Sequence, residues 1–322
     1  MGAPTGKVPA LPINFHQIKL KTKLRIGIGF QHERASWDWI GFDTGRELSK
    51  YFDVEFFNEQ NYDLSRYQVV MLVKNSPNEQ FLDKALDHGC KIIFVPADNY
   101  EQPEQIQAGS RFLKCCNAIL IHSERLMEYF RPYCNNVRFV EHHNRFGLTK
   151  MVDYFRAGHV VWVGGGEHLD TQGEYLRANR IFTPIKFVAG NGAHLRDGGI
   201  LSIPDHNEII EWNPKNQKLA METARGAFDI KGNSWWQMMK PAVKAQKFIM
   251  SGLPMAVNKQ SPSYEYFTNY GLNLCEPSDT ERWFSFEYFQ ECQRVGVWLK
   301  EKLALERVVL DFYKQAINDL TA

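Results

Sequence analysis

Three lysines, Lys240, Lys244 and Lys247, recur in KPAVKAQKFIMSGLPMAV (240–257), on one face of what reads as a short helix, a glycine stop and a buried strand. A helix N-terminus carries partial positive charge, so a cation placed there costs about 0.3–1 kcal/mol unless an anion compensates. Pro241 fits the first helical position, which leaves the amides of that turn able to bind a phosphate. Two other stretches suit the same anion. VGGG (163–166) contains Gly164, Gly165 and Gly166, where backbone can approach a ligand closely. NKQSPSYEYF (258–267) offers Ser261, Ser263 and the backbone of Tyr264 as hydrogen-bonding groups. With Lys240 and Lys244 supplying charge, these pieces would hold a diphosphate, and the anion is read as a nucleotide pyrophosphate. Lys247 is assigned a structural role.

A second set of polar residues falls at strand ends in the first half: Gln31, His32 and Glu33, then Lys74 and Asn75, Asp98 and Asn99, and Ser123. His32 and Asp98 are the candidates for a polar or general-base role toward an acceptor. Lys244 and Lys240, with the helix amides, would stabilise negative charge on a departing phosphate. His142 and His143 read as packing residues, and Trp235–Trp236 suits stacking and packing equally. GIG at 27–29 begins a dinucleotide fingerprint, but no third glycine follows at the required spacing, so no such site is assigned.

Strands and helices must alternate to deliver these residues to one place. LRIGIGF (24–30), VEFFN (54–58), YQVVMLVKN (67–75), KIIFVPADN (91–99), NAILIHS (117–123) and VRFVEHHN (137–144) read as strands, with helices between them. After a polar connector near 145–158 the pattern restarts with HVVWVGGG (159–166), IKFVAGNG (185–192), EIIEW (208–212) and FDIKGN (228–233), while KLAMETARG (218–226) reads as a helix. LALERVVLDFYKQAINDL (303–320) has the 3.6-residue period of one long amphipathic helix. Two α/β units with a boundary near 150 follow, each a doubly wound parallel sheet. In such sheets ligands lie beyond the carboxyl ends of the strands, where this chain places its glycines and lysines.

Composition narrows the class. The chain has 322 residues and a net charge of +1, so a basic patch must be local and a general polyanion binder is disfavoured. The six cysteines form no C-x-x-C pair and have no metal-like spacing with histidine, which suits reduced thiols and a cytoplasmic setting. The polar, Pro/Gly-rich opening does not read as a secretory signal, and no apolar run approaches the ~20 residues of a membrane span.

The order EIIEW…KLAMETARGAFDIK…KPAVKAQKFIMSGLPMAVN…SPSYEYF resembles the donor-binding domain of GT-B glycosyltransferases, most closely the retaining, group 1-like members. HVVWVGGG is similar to the strand and glycine loop that open their C-terminal domain. The resemblance implies two Rossmann-like domains facing a cleft. Residues 1–150 would form the acceptor side, with a helix at about 303–322 packing back on it, and 151–302 would bind the donor. It implies metal-independent transfer of a hexose from a UDP- or GDP-sugar to a hydroxyl acceptor, with no further cofactor. A glycan or lipid acceptor, a nucleic-acid acceptor and peripheral membrane contact all stay open. Retention of configuration follows the overall pattern, yet where many retaining members carry two glutamates eight residues apart this chain has Met239 and Lys247. Two alternatives stand beside the enzyme: a catalytically inactive sugar-nucleotide or glycan binding or scaffold protein, and a sugar-nucleotide epimerase.

Overall fold

A computed structural model of the chain describes residues 23–190, 203 and 206–322. The first sheet has six parallel strands, β1 (Arg25–Gly29), β2 (Asp53–Phe56), β3 (Val69–Val73), β4 (Lys91–Val95), β5 (Ala118–Ile121) and β6 (Val137–Phe139), in the order β2-β1-β3-β4-β5-β6. The second has five, β7 (His159–Gly165), β8 (Ile185–Gly190), β9 (Glu208–Glu211), β10 (Ala224–Asp229) and β11 (Met255–Val257), in the order β11-β10-β7-β8-β9, again all parallel. A parallel sheet covered on both faces needs strands that are apolar on both faces. VVMLV of β3 meets that need: Val69, Met71 and Val73 enter one core cluster, Val70 and Leu72 the other.

Each sheet reverses its winding once, between β1 and β3 and between β7 and β10. Those switch points open crevices beyond the strands' carboxyl ends. Asp229 closes β10 and Gly165 closes β7, so the second switch point lies between the glycine loop and a buried carboxylate.

Several fastenings join the halves. Glu141, just past β6, is 2% exposed and accepts hydrogen bonds from Gln246 Nε2 (3.1 Å), Tyr266 OH (2.9 Å) and Lys302 Nζ (3.0 Å). Arg125 donates to Glu265 (2.7 Å) and to the carbonyl of Met238 (3.2 Å). The helical stretch 305–321 returns to the first sheet, where Tyr313 OH lies 3.1 Å from His122 Nε2 and Arg138 reaches Asp319 at 2.6 Å. It begins two residues later than its periodicity predicts, because Ala304 is extended (φ −61°, ψ 139°) and separates it from the helix Phe286–Lys302.

Candidate functional site

The second switch point gathers cations around a single buried carboxylate. Asp229, 2% exposed, accepts from Trp162 Nε1 (3.1 Å) and Lys244 Nζ (2.7 Å) on Oδ1, and pairs with Lys231 Nζ (2.8 Å) on Oδ2. Burial alone would raise its carboxyl pKa, but Lys231 and Lys244 outweigh it and hold the group well below the usual carboxylate range. Burial pushes Lys244 down to about 8, and burial with the like charges of Lys231 and Lys244 does the same to Lys240. Lys240 Nζ stands 3.4 Å over the Trp236 ring and 3.3 Å from Nε2 of His168. Burial, then Lys240 and Lys244, push that imidazole down to about 4, so it is neutral near pH 7 and can accept from Lys240.

The helix carrying Lys244 spans Val243–Met250, with Ala242 at its N-cap making no side-chain cap bond. Pro241 therefore precedes the helix rather than opening it, and Lys240 sits in the approaching turn. That placement removes the expected conflict between Lys240 and the helix dipole. Lys244 still lies in the first turn, where Asp229 offsets its charge.

Gly164 and Gly165 end β7 and line the cavity between the sheets, while Gly166 is buried in the following turn. A Cβ on Gly164 would lie 2.5 Å from the Trp162 ring and 3.1 Å from Lys244 Nζ. Glycine is needed here for space, since the lysine and the indole occupy the room a side chain would take. Gly164→Ala is expected to displace Lys244 and cost about 1–3 kcal/mol of stability, measured by urea unfolding.

The serine loop does something other than face this cavity. Ser261, fully buried, caps the helix Pro262–Asn269, its Oγ accepting from the Tyr264 amide at 3.2 Å. Ser263 is 2% exposed. Ser261, Ser263 and Tyr264 do not line the cavity that holds the lysines. The amide of Tyr264 is already used by the cap, so Ser261 and this amide support the start of that helix.

From the first half the cavity receives Asp98. The residue follows β4, and its Oδ1 is 2.5 Å from Nζ of Lys74, the residue after β3. Lys74 (φ 67°) and Ala97 (φ 51°) both occupy the left-handed region, which costs of order 1–3 kcal/mol at a non-glycine residue and concentrates at functional sites. Burial would raise the Asp98 pKa, but the Lys74 hydrogen bond and charge, with a contribution from Lys240, lower it, so the carboxylate is ionised near pH 7. His32 lies apart from this group. Its Nδ1 accepts from the Arg34 amide at 3.2 Å, and it lines a separate depression with Gln31, Glu33 and Phe42. His142 lines the cavity between the sheets and stacks on His122 at 3.8 Å, and His143 Nε2 is 3.3 Å from Asp43.

The cavity encloses about 480 Å³ and takes its walls from both sheets: Trp39 and Asp98 on one side, Gly164, Lys231, Lys240 and Lys244 on the other. That size suits a small-molecule ligand. Among the described residues no group of three or more His, Cys, Asp or Glu side chains is placed to hold a metal ion, and no helix is long and apolar enough to cross a membrane.

No protein-family model matches the sequence, and no curated protein matches it significantly. Solved structures do. A glycosyltransferase from Rickettsia africae ESF-5 superposes with a TM-score of 0.59 at 9% identity, over 92% of this chain and 99% of that one. The DNA-modifying enzyme β-glucosyltransferase, solved with and without its substrate uridine diphosphoglucose, gives 0.51 at 11% identity, over 92% and 100%. Accessory secretory protein 1, 2 and 3 of Streptococcus pneumoniae gives 0.47 at 12% identity; this chain matches it over 79% of its own length and spans about half, 53%, of that chain. Two parallel sheets, a cavity walled by both and the first two of these superpositions agree on one architecture: the chain has the GT-B fold.

Proposed function

We propose that the protein is a glycosyltransferase that moves a hexose from a nucleotide diphosphate sugar to a hydroxyl acceptor. The observation that carries this reading is the convergence of Lys231, Lys240 and Lys244 with Gly164 at the carboxyl ends of β7 and β10. Three ammonium groups beside one carboxylate leave positive charge that a diphosphate would neutralise. Lys240 and Lys244 would stabilise the charge that develops as the glycosidic C–O bond to the β-phosphate breaks. No metal is required by this account, because the lysines supply the positive charge.

Asp98 faces the same cavity and serves as the general base: its carboxylate takes the acceptor hydroxyl proton as that oxygen attacks the anomeric carbon. A base on the acceptor side implies inversion. This reading favours inversion over the retaining expectation, and the anomeric configuration of the product decides between them. The acceptor is a hydroxyl compound; the donor base and sugar are settled by a screen of UDP- and GDP-sugars.

Lys244→Met tests the donor site. It removes one charge-assisted contact, worth about 1.5–3 kcal/mol, so donor affinity should fall roughly 10- to 150-fold, read by titration calorimetry. Stability should change less, because Lys231 still holds Asp229. Unchanged affinity, or no thermal shift of the wild type by any UDP- or GDP-sugar, overturns the reading.

The lysine pKa values add a pH dependence. Lys240 and Lys244 sit at about 8, and a bound diphosphate favours their charged forms. Above pH 8 binding must take up protons, so affinity should fall by up to about tenfold per pH unit for each lysine. Calorimetry at pH 7, 8 and 9 in buffers of different ionisation enthalpy reads this directly. A flat profile contradicts the direct role of both lysines.

A further inference from the structure

Four lysines line the cavity, and three have evident company. Lys231 and Lys244 share Asp229, and Lys240 rests on Trp236 and His168. Lys247 is different. It is partly buried and lines the same cavity with Trp39, His142, Phe146, Trp212 and Gln217, yet its ammonium group has neither a hydrogen bond nor an ion pair among the described residues. Its nearest ring is the Phe248 side chain, 5.2 Å from Nζ to the centroid. Of the cavity's two acidic lining residues, Asp98 pairs with Lys74, and Glu167 is largely exposed and makes no ion pair with Lys247. No protein acceptor among the described residues offsets the Lys247 charge, and burial together with Lys244 pushes its pKa down to about 7.

The structure therefore assigns Lys247 to the ligand, and we propose that it receives an anionic group on the transferred sugar, such as the carboxylate of a uronic acid. The inference rests on the donor-site reading given above. Lys247 follows Lys244 by three residues on one helix, so the two side chains start about 5–6 Å apart on one face. A hexose whose anomeric oxygen is held at Lys240 and Lys244 carries its exocyclic C6 group on that length scale. A C6 carboxylate there would pair with the Lys247 amine and favour its charged form. A C6 hydroxymethyl group could accept a hydrogen bond only at a neutral oxygen, weaker than the charge-assisted bond a carboxylate makes.

Two isosteric pairs, UDP-glucuronate against UDP-glucose and GDP-mannuronate against GDP-mannose, test the assignment by calorimetry without acceptor, alongside UDP and GDP. In the wild type the uronate of the accepted base should bind at least about tenfold more tightly than its neutral partner. In Lys247→Met that ratio should collapse to about one. Lys247→Arg, which keeps the charge, should retain a preference of the same sign. Equal wild-type affinities within each pair, with UDP or GDP itself binding, overturn the sugar-anion assignment alone. A preference that survives Lys247→Met also overturns it. Absence of binding by UDP, GDP and all four sugars overturns the donor reading and this inference with it.

Discussion

Asp98→Asn is expected to lower kcat by about 10²- to 10⁴-fold, the range over which a general base acts, while leaving donor affinity close to wild type. The substitution keeps size and one acceptor oxygen, so Lys74 keeps a partner for its ammonium group, which lies 2.5 Å from Oδ1 in the native protein. What is lost is the negative charge that accepts a proton. In the proposed site the donor is held on the opposite wall by Lys231, Lys240 and Lys244, none of which depends on Asp98 for a hydrogen bond. Single-turnover rates and donor titrations on the same preparation separate the two effects. If Asp98→Asn keeps more than a tenth of wild-type kcat, Asp98 is not the base, and a front-face mechanism with retained configuration becomes the better account.

The second large effect concerns stability. Asp229→Asn should destabilise the ligand-free protein by about 3–5 kcal/mol, the cost of removing one partner from a buried ion pair. Two lysines would then face each other across a neutral amide, with no other carboxylate within their hydrogen-bond shell among the described residues. A saturating nucleoside diphosphate should restore a large part of the loss, because its phosphates supply the charge that Asp229 provided. The acid limb of the stability curve carries the same signature. The Asp229 pKa is depressed in the folded state, so its stabilisation is present above the ordinary carboxylate pKa near 3.9. It is lost as pH falls through the folded value. Wild type should lose this contribution below about pH 4, and the Asn variant should have none to lose. Equal urea midpoints for the two proteins at pH 7 would rule out a structural role for the pair.

Much of this organisation could be read from the residues. Continuous apolar runs such as VVMLV have one good solution in an alternating α/β chain, a central parallel strand, and all five side chains are fully buried. The lysine cluster was legible in part, since Lys240 and Lys244 precede a glycine stop and a buried strand. β10 was not. ARGAFD lacks the β-branched residues that mark a strand, and its first three residues read as the end of a helix. The helix in fact ends at Glu222, and Gly226 passes beneath the Pro254 carbonyl and the Trp283 indole, each 3.1 Å from where a Cβ would sit. Only tertiary crowding explains those small residues, and it leaves no local trace.

Asp229 and Lys231 were missed for a related reason. With the strand shifted toward the N-terminus, Asp229 becomes its last residue instead of its second, and the carboxylate turns to the lysines. A polar residue closing an apolar strand, with a lysine two positions later, was the available signal. Ser261 erred the other way. A serine directly before proline at a helix start is a capping pattern, and the cap uses the groups assigned to a ligand. Lys247 was given to a structural face because lysine stripes on short helices are usually solvated. The cavity behind it is formed by the other sheet, which no local window contains.

The buried Glu141 has a mechanical consequence. Its carboxylate ties the segment leaving the first sheet to Gln246, on the same helix as Lys244, and to Lys302, beside the start of the returning C-terminal helix. If the two lobes swing to admit a sugar donor and release the spent nucleotide, rotation about this point changes its contacts least while opening the far rim most. Glu141 would then be the pivot of that swing. A side chain some distance from the reacting atoms would govern how fast the jaws reopen, leaving bond-making itself to the groups inside them.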